Sequence, residues 1–77
     1  MDNKYSKMDG YIHLFSFDHY WVMLTENNLL IWNTRIEEIT NDDLTSETNR
    51  QWWMNAFCDL YEKGRLHYIN QVIDLPS

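Results

Sequence analysis

Only one cysteine, one proline and two glycines occur among the 77 residues. Each scarcity removes a class of explanation. The lone Cys58 has no partner within the chain, so a disulfide-stapled secreted scaffold is excluded and a reducing, cytoplasmic setting is expected. Gly10 and Gly64 stand apart, so no glycine-rich loop is present to cradle a phosphate on its backbone amides. With Pro76 the only proline and no low-complexity tract, nothing divides the chain, and a single domain over residues 1–77 is expected, with residues 1–10 as a flexible arm. No apolar run approaches the roughly 20 residues of a membrane helix, and the opening MDNKYSKMDG is too polar for a secretory signal.

Basic residues are also scarce, six against twelve acidic ones, for a formal net charge of -6. That balance repels phosphate backbones and anionic lipid, so neither direct nucleic-acid binding nor membrane association is expected. The acidity is concentrated. Glu26, Glu37, Glu38, Asp42, Asp43 and Glu47 face only Arg35 across that segment, which therefore carries nearly all of the net charge.

What the chain has in quantity is hydrophobic and aromatic residues, at 44% and 16%. Such a composition packs rather than staying disordered. A chain of this length buries only about 60% of the surface its unfolded form exposes, so its core is small. Tyr11–Phe17 (YIHLFSF) and Tyr20–Thr25 (YWVMLT) are short, aromatic and β-branched, and Asp18 and His19 between them suit a tight hairpin. Glu26, Asn27 and Asn28 form a turn cluster whose asparagines tolerate positive φ, after which Leu29–Arg35 makes a third strand, with an extension towards Glu38. A helical reading of residues 18–39 competes, but it would put Asn27 and Asn28 in a helix interior. Ile39–Leu44 (ITNDDL) reads as a loop.

A helix over residues 46–63 is the best-signalled element, with Thr45 or Ser46 as N-cap, Glu47 near the positive end of the dipole and Gly64 as left-handed C-cap. Leu66–Leu75 alternates well enough for a closing strand, with a short terminal helix as the other reading. The expected fold is therefore α+β: a small antiparallel sheet, a three-stranded meander plus a C-terminal strand, packed on one α-helix.

The stretch NRQWWMNAF holds adjacent tryptophans. At about 100° per residue, Trp53, Ala56, Phe57 and Leu60 share one stripe, while Trp52 lies roughly a quarter turn away on a shoulder with Asp59 and Lys63. Trp53 is expected in the core and Trp52 partly in water. The strands carry a similar surplus: Tyr20, Val22 and Leu24 oppose Trp21 and Met23, and Leu29 and Ile31 oppose Leu30 and Trp32, so both sheet faces are apolar. One helix covers one face, and an antiparallel sheet usually makes its other face polar. Phe15, Phe17, Trp21 and Trp32 are therefore expected on an apolar face that a second copy, a different protein or the N-terminal arm covers.

Reaction chemistry is missing. Cys58 lies off the helix stripe, with His67 in another element and little positive charge to favour a thiolate. His13, His19 and His67 lack zinc-ligand spacing, and NDDLTSETN lacks the glycine and terminal glutamate of a calcium loop. No catalytic residue, metal or cofactor is expected. The run Glu37, Glu38, Asp42, Asp43 and Glu47 either keeps a loop solvated and favours a helix start or presents negative charge to a basic protein surface. The latter fits small inhibitors that compete for the nucleic-acid groove of their target, a class that includes phage-encoded anti-defence and anti-CRISPR proteins. The expected partner contacts are those five carboxylates with Trp21, Trp32, Trp52, Phe15 and Phe17. The alternative is a non-catalytic accessory subunit that homodimerises through its apolar sheet face.

Overall fold

Turn chemistry sets the pairing of the first strands. In the computed structural model, which describes residues 10–75, Asp18 adopts a φ of 49°, and with His19 it reverses the chain between β1 (Ile12–Phe17) and β2 (Tyr20–Leu24). Asp is among the few residues that tolerate this left-handed backbone. Glu26 and Asn27 then link β2 to β3 (Asn28–Asn33), the turn being closed by Thr25 N–H donating to the Asn28 carbonyl at 2.9 Å. No asparagine there needs positive φ.

The next element departs from expectation. Glu38–Asp43 is not a loop but a fourth strand, β4, antiparallel to β3 with Asn33 opposite Glu38 and Asn28 opposite Asp43. Residues 34–37 make its turn: the Asn33 side-chain oxygen accepts from the backbone amides of Arg35 and Ile36, and Glu37 takes a φ of 55°. Because β4 is an edge strand and largely exposed, nothing selected the apolar alternation by which strands are recognised.

Helix α1 (Glu47–Glu62) follows the expected caps. Ser46 is the N-cap, its hydroxyl accepting from the Asn49 amide at 3.3 Å, while Thr45 commits its hydroxyl to Asp43. At the other end Gly64, with a φ of 66°, donates to the Tyr61 carbonyl, and Arg65 donates to that of Leu60. This double closure satisfies carbonyls that the helix itself leaves open. Strand β5 (Leu66–Ile69) then pairs with β1, giving a five-stranded antiparallel sheet ordered β4-β3-β2-β1-β5 against one helix, an α+β fold. β5 stops short of the expected Leu75. Asn70 ends it by donating its side chain to the His13 carbonyl and accepting the Val72 amide on its side-chain oxygen, which turns the chain out of the ladder. All but Gly10 of the arm expected over residues 1–10 lies outside the described residues.

The core lies between α1 and one sheet face, where Phe15, Val22, Leu29, Ile31 and Leu60 are buried and Phe17, Tyr20, Trp53 and Phe57 pack around them. Phe15 and Phe17 thus belong to the helix-covered face, which corrects their expected place on the open one. The reason is a bulge. The β1–β2 register shifts between His13 and Phe15, so Phe15 pairs with Val22 and Phe17 with Tyr20, while Leu14, the extra residue, also packs against the core.

Candidate functional site

Adjacent helical residues diverge by about 100°, so Trp52 and Trp53 cannot share an environment. Trp53 turns onto the sheet, its ring tilted on Phe15 at a centroid distance of 6.3 Å. Its Nε1–H donates to Asp42 Oδ2 at 2.5 Å, tying the helix to β4. Trp52 stands edge-on to Trp53 at 4.9 Å yet remains 60% exposed, bordering a shallow surface groove with Glu47, Thr48, Gln51 and Asn55. Trp52 is the indole that the fold leaves largely unused.

The sheet face away from the helix is less open than its composition implies. Met23 is completely buried there, and Trp21, Leu30 and Trp32 are half-buried. Flat rings shield one another: Trp21 meets Trp32 edge-on at 5.2 Å, and His13 stacks between Trp21 at 4.7 Å and Tyr68 at 4.5 Å. The His13 Nε2 also lies 2.7 Å from the Ser16 hydroxyl. Burial of that ring lowers its pKa below the ordinary 6.5, with a hydrogen bond to the Phe15 backbone acting in the opposite sense. On this face the large exposed side chains are only Ile39 and Tyr68 among the described residues, so the broad greasy sheet face expected from sequence is reduced to a rim.

The acidic run is also divided by the fold. Alternation along β4 sends Glu38 and Asp42 to the helix side, opposite Asn33 and Leu29, and Asp43 to the other. Asp42 is half-buried and holds Trp53. Asp43 accepts the Thr45 amide at 2.9 Å and the Thr45 hydroxyl at 2.8 Å, and these bonds, the amide first, lower its pKa below the usual carboxylate value against a small desolvation effect. These two carboxylates therefore serve the joint between β4 and α1. Glu37, Glu38 and Glu47 are exposed, the first in the β3–β4 turn, the last in the first helical turn.

Sequence reasoning missed an apolar cleft of about 440 Å³. It lies between the helix flank of Arg50, Met54 and Cys58 and a wall that includes Leu14, Leu24, Leu44 and Ile73. Its walls come from six separate segments, three strands, the link between β4 and α1, α1 itself and the chain after β5, a juxtaposition that no local pattern announces. Cys58 is exposed at this rim, His19 lies in the first hairpin turn and His67 is exposed on β5. Among the described residues no group of His, Cys, Asp and Glu is arranged to hold a metal, and no helix is long and apolar enough to cross a membrane. No protein-family model matches the chain, and neither does any curated protein or solved structure.

Proposed function

We propose that the chain is a small, non-catalytic protein-binding regulator, an inhibitor that docks on the basic surface of a nucleic-acid-handling protein and competes for it. The observation that carries this reading is Trp52. A large amphipathic ring held 60% in solvent on a helix contributes little to the fold and is the residue type most enriched at the centres of protein interfaces. Asn49, which bonds the Asp43 carbonyl, sits three residues before Trp52 and so shares its helix flank, placing the indole on the side of the helix that adjoins β4. Glu47 borders the same groove, Glu37 and Glu38 add exposed negative charge at the start of β4 and its turn, and complementary potential speeds encounter with a basic partner.

Affinity capture on the immobilised chain tests the reading: a basic nucleic-acid-handling protein is expected, retained at low salt and progressively released as salt rises. Retention of no such protein at any salt would remove it. The homodimer remains the second reading, because Ile39 and Tyr68, 38% and 43% exposed, stay uncovered on the sheet face. A molecular mass of twice the chain at micromolar concentration would favour it.

A further inference from the structure

We infer that the outer edge of β4 is a strand-docking site, and that its occupant is an extended protein segment with lysine or arginine at alternate positions. The inference rests on the proposed basic partner and specifies how that partner is held. The ladder fixes which backbone groups are available. Leu44 N–H donates to the Asn27 carbonyl, and antiparallel strands bond at alternate residue pairs, so the bonded pairs along β3–β4 are Leu29 with Asp42, Ile31 with Thr40 and Asn33 with Glu38. The β2–β3 turn agrees, since Thr25 bonding to Asn28 assigns the even-numbered residues of β3 to β2. It follows that the N–H and C=O groups of Ile39 and Asn41 point away from the sheet. The Asp43 carbonyl points the same way, and it is met by the Asn49 side chain at 2.9 Å.

Among the described residues no strand pairs with this edge, and β4 is the outermost strand of the sheet. Exposed edges template the addition of a further strand, and many recognition domains bind peptides in this way. Charge selects the occupant. An added strand places alternate side chains beside Glu38 and Asp42 on the helix face, with Asp43 on the other, and each favours a cation. The same groups oppose one register in which a second copy could pair with this edge. Outward-pointing residues must face each other, so when Ile39 of one β4 meets Asn41 of another, Glu38 falls opposite Asp42 in both directions. Opposed like charges guard natural edges against self-pairing, and here they leave the edge open to a basic strand.

The test is an NMR titration of the full chain with a short blocked peptide alternating lysine with threonine, beside its glutamate–threonine counterpart. Only the lysine peptide is expected to shift the amides of Ile39 and Asn41 and slow their hydrogen exchange, leaving that of Thr40, already bonded to β3, unchanged. Asn41→Pro removes an outward amide and the side-chain bond from Asn28 but none of the β3–β4 backbone bonds, and is expected to weaken the peptide about tenfold in a chain that stays folded. Glu38→Lys, which leaves the backbone intact, should weaken it similarly. Shifts centred elsewhere, equal binding of the glutamate peptide, or unchanged affinity in Glu38→Lys would overturn the proposal. So would a dimer that Asn41→Pro dissociates. Capture of a basic partner by Asn41→Pro and Glu38→Lys at full strength would sink the edge alone and leave the basic-partner reading standing.

Discussion

The contrast between Trp52 and Trp53 gives the sharpest stability test. Trp53→Ala removes a ring packed on Phe15 and strips Asp42 of its indole donor, leaving a half-buried carboxylate to find another. Large-to-small core truncations of tryptophan cost about 3–5 kcal/mol, and Trp53, partly accessible at its edge, belongs near the lower end even with the lost hydrogen bond included. Trp52→Ala removes a side chain that is 60% exposed, and alanine's better helix propensity offsets part of the loss, so about 1 kcal/mol or less is expected. In a domain of this size 1 kcal/mol shifts the midpoint by about 4–8 °C. Thermal unfolding followed by circular dichroism should therefore show a drop of at least about 12 °C for Trp53→Ala, or no cooperative transition, against a few degrees for Trp52→Ala. Trp53→Phe keeps most of the packing and isolates the hydrogen bond; it and Asp42→Ala, which removes the acceptor, should show a coupling of about 1 kcal/mol in a double-mutant cycle. Equal losses for the two alanine variants would refute the division of labour between the indoles.

Other expectations follow from single contacts. Gly64→Ala should cost about 1 kcal/mol, because an added Cβ meets nothing within 4 Å and the penalty comes from the φ of 66° alone; a neutral result in denaturant titration would contradict the left-handed cap. The His13 pKa is lowered in the folded chain, so the unfolded chain binds the proton more readily and stability is complete above pH 6.5 and declines as pH falls below it. Asp43, also lowered, adds a loss that begins only as pH falls below 3.8, and His13→Gln should flatten the first decline while leaving the second. Neutralising Glu37, Glu38 and Glu47 together should slow association with a captured basic partner and flatten its salt dependence while leaving the melting curve nearly in place; an unchanged on-rate would remove their steering role.

The parts of the fold legible in the sequence are those decided by local chemistry. Ser46 and Gly64 bracket the helix because an N-cap hydroxyl and a left-handed C-cap are short-range requirements, and Asp18 and His19 mark a hairpin for the same reason. The facing of β2 and β3 follows from strict alternation. β4 was hidden because EITNDD buries neither side: its strand state comes from a ladder with β3 that closes only after Glu37 takes a left-handed φ, which glutamate does not signal. Simple alternation puts Phe15 and Phe17 on the wrong face because the bulge at Leu14 breaks the period by one residue. The apolar sheet face was overestimated because residue counting cannot foresee His13 stacking between Trp21 and Tyr68. The exposed shoulder of Trp52 follows from helical geometry alone, whereas the tie between Trp53 and Asp42 required knowing that Glu38–Asp43 is a strand whose end brings Asp42 within reach of the helix.

In the proposed function one indole is left for a partner while its neighbour is consumed by the fold. Indole N–H signals of the four tryptophans, recorded with a soluble paramagnetic agent and in deuterium exchange, test this directly. Trp52 should be attenuated most and exchange fastest, with Trp53, bonded to Asp42, and Trp32, whose Nε1 is buried, protected on both measures. A protected Trp52, or a Trp53 signal that broadens and exchanges as readily as it does, would contradict the account.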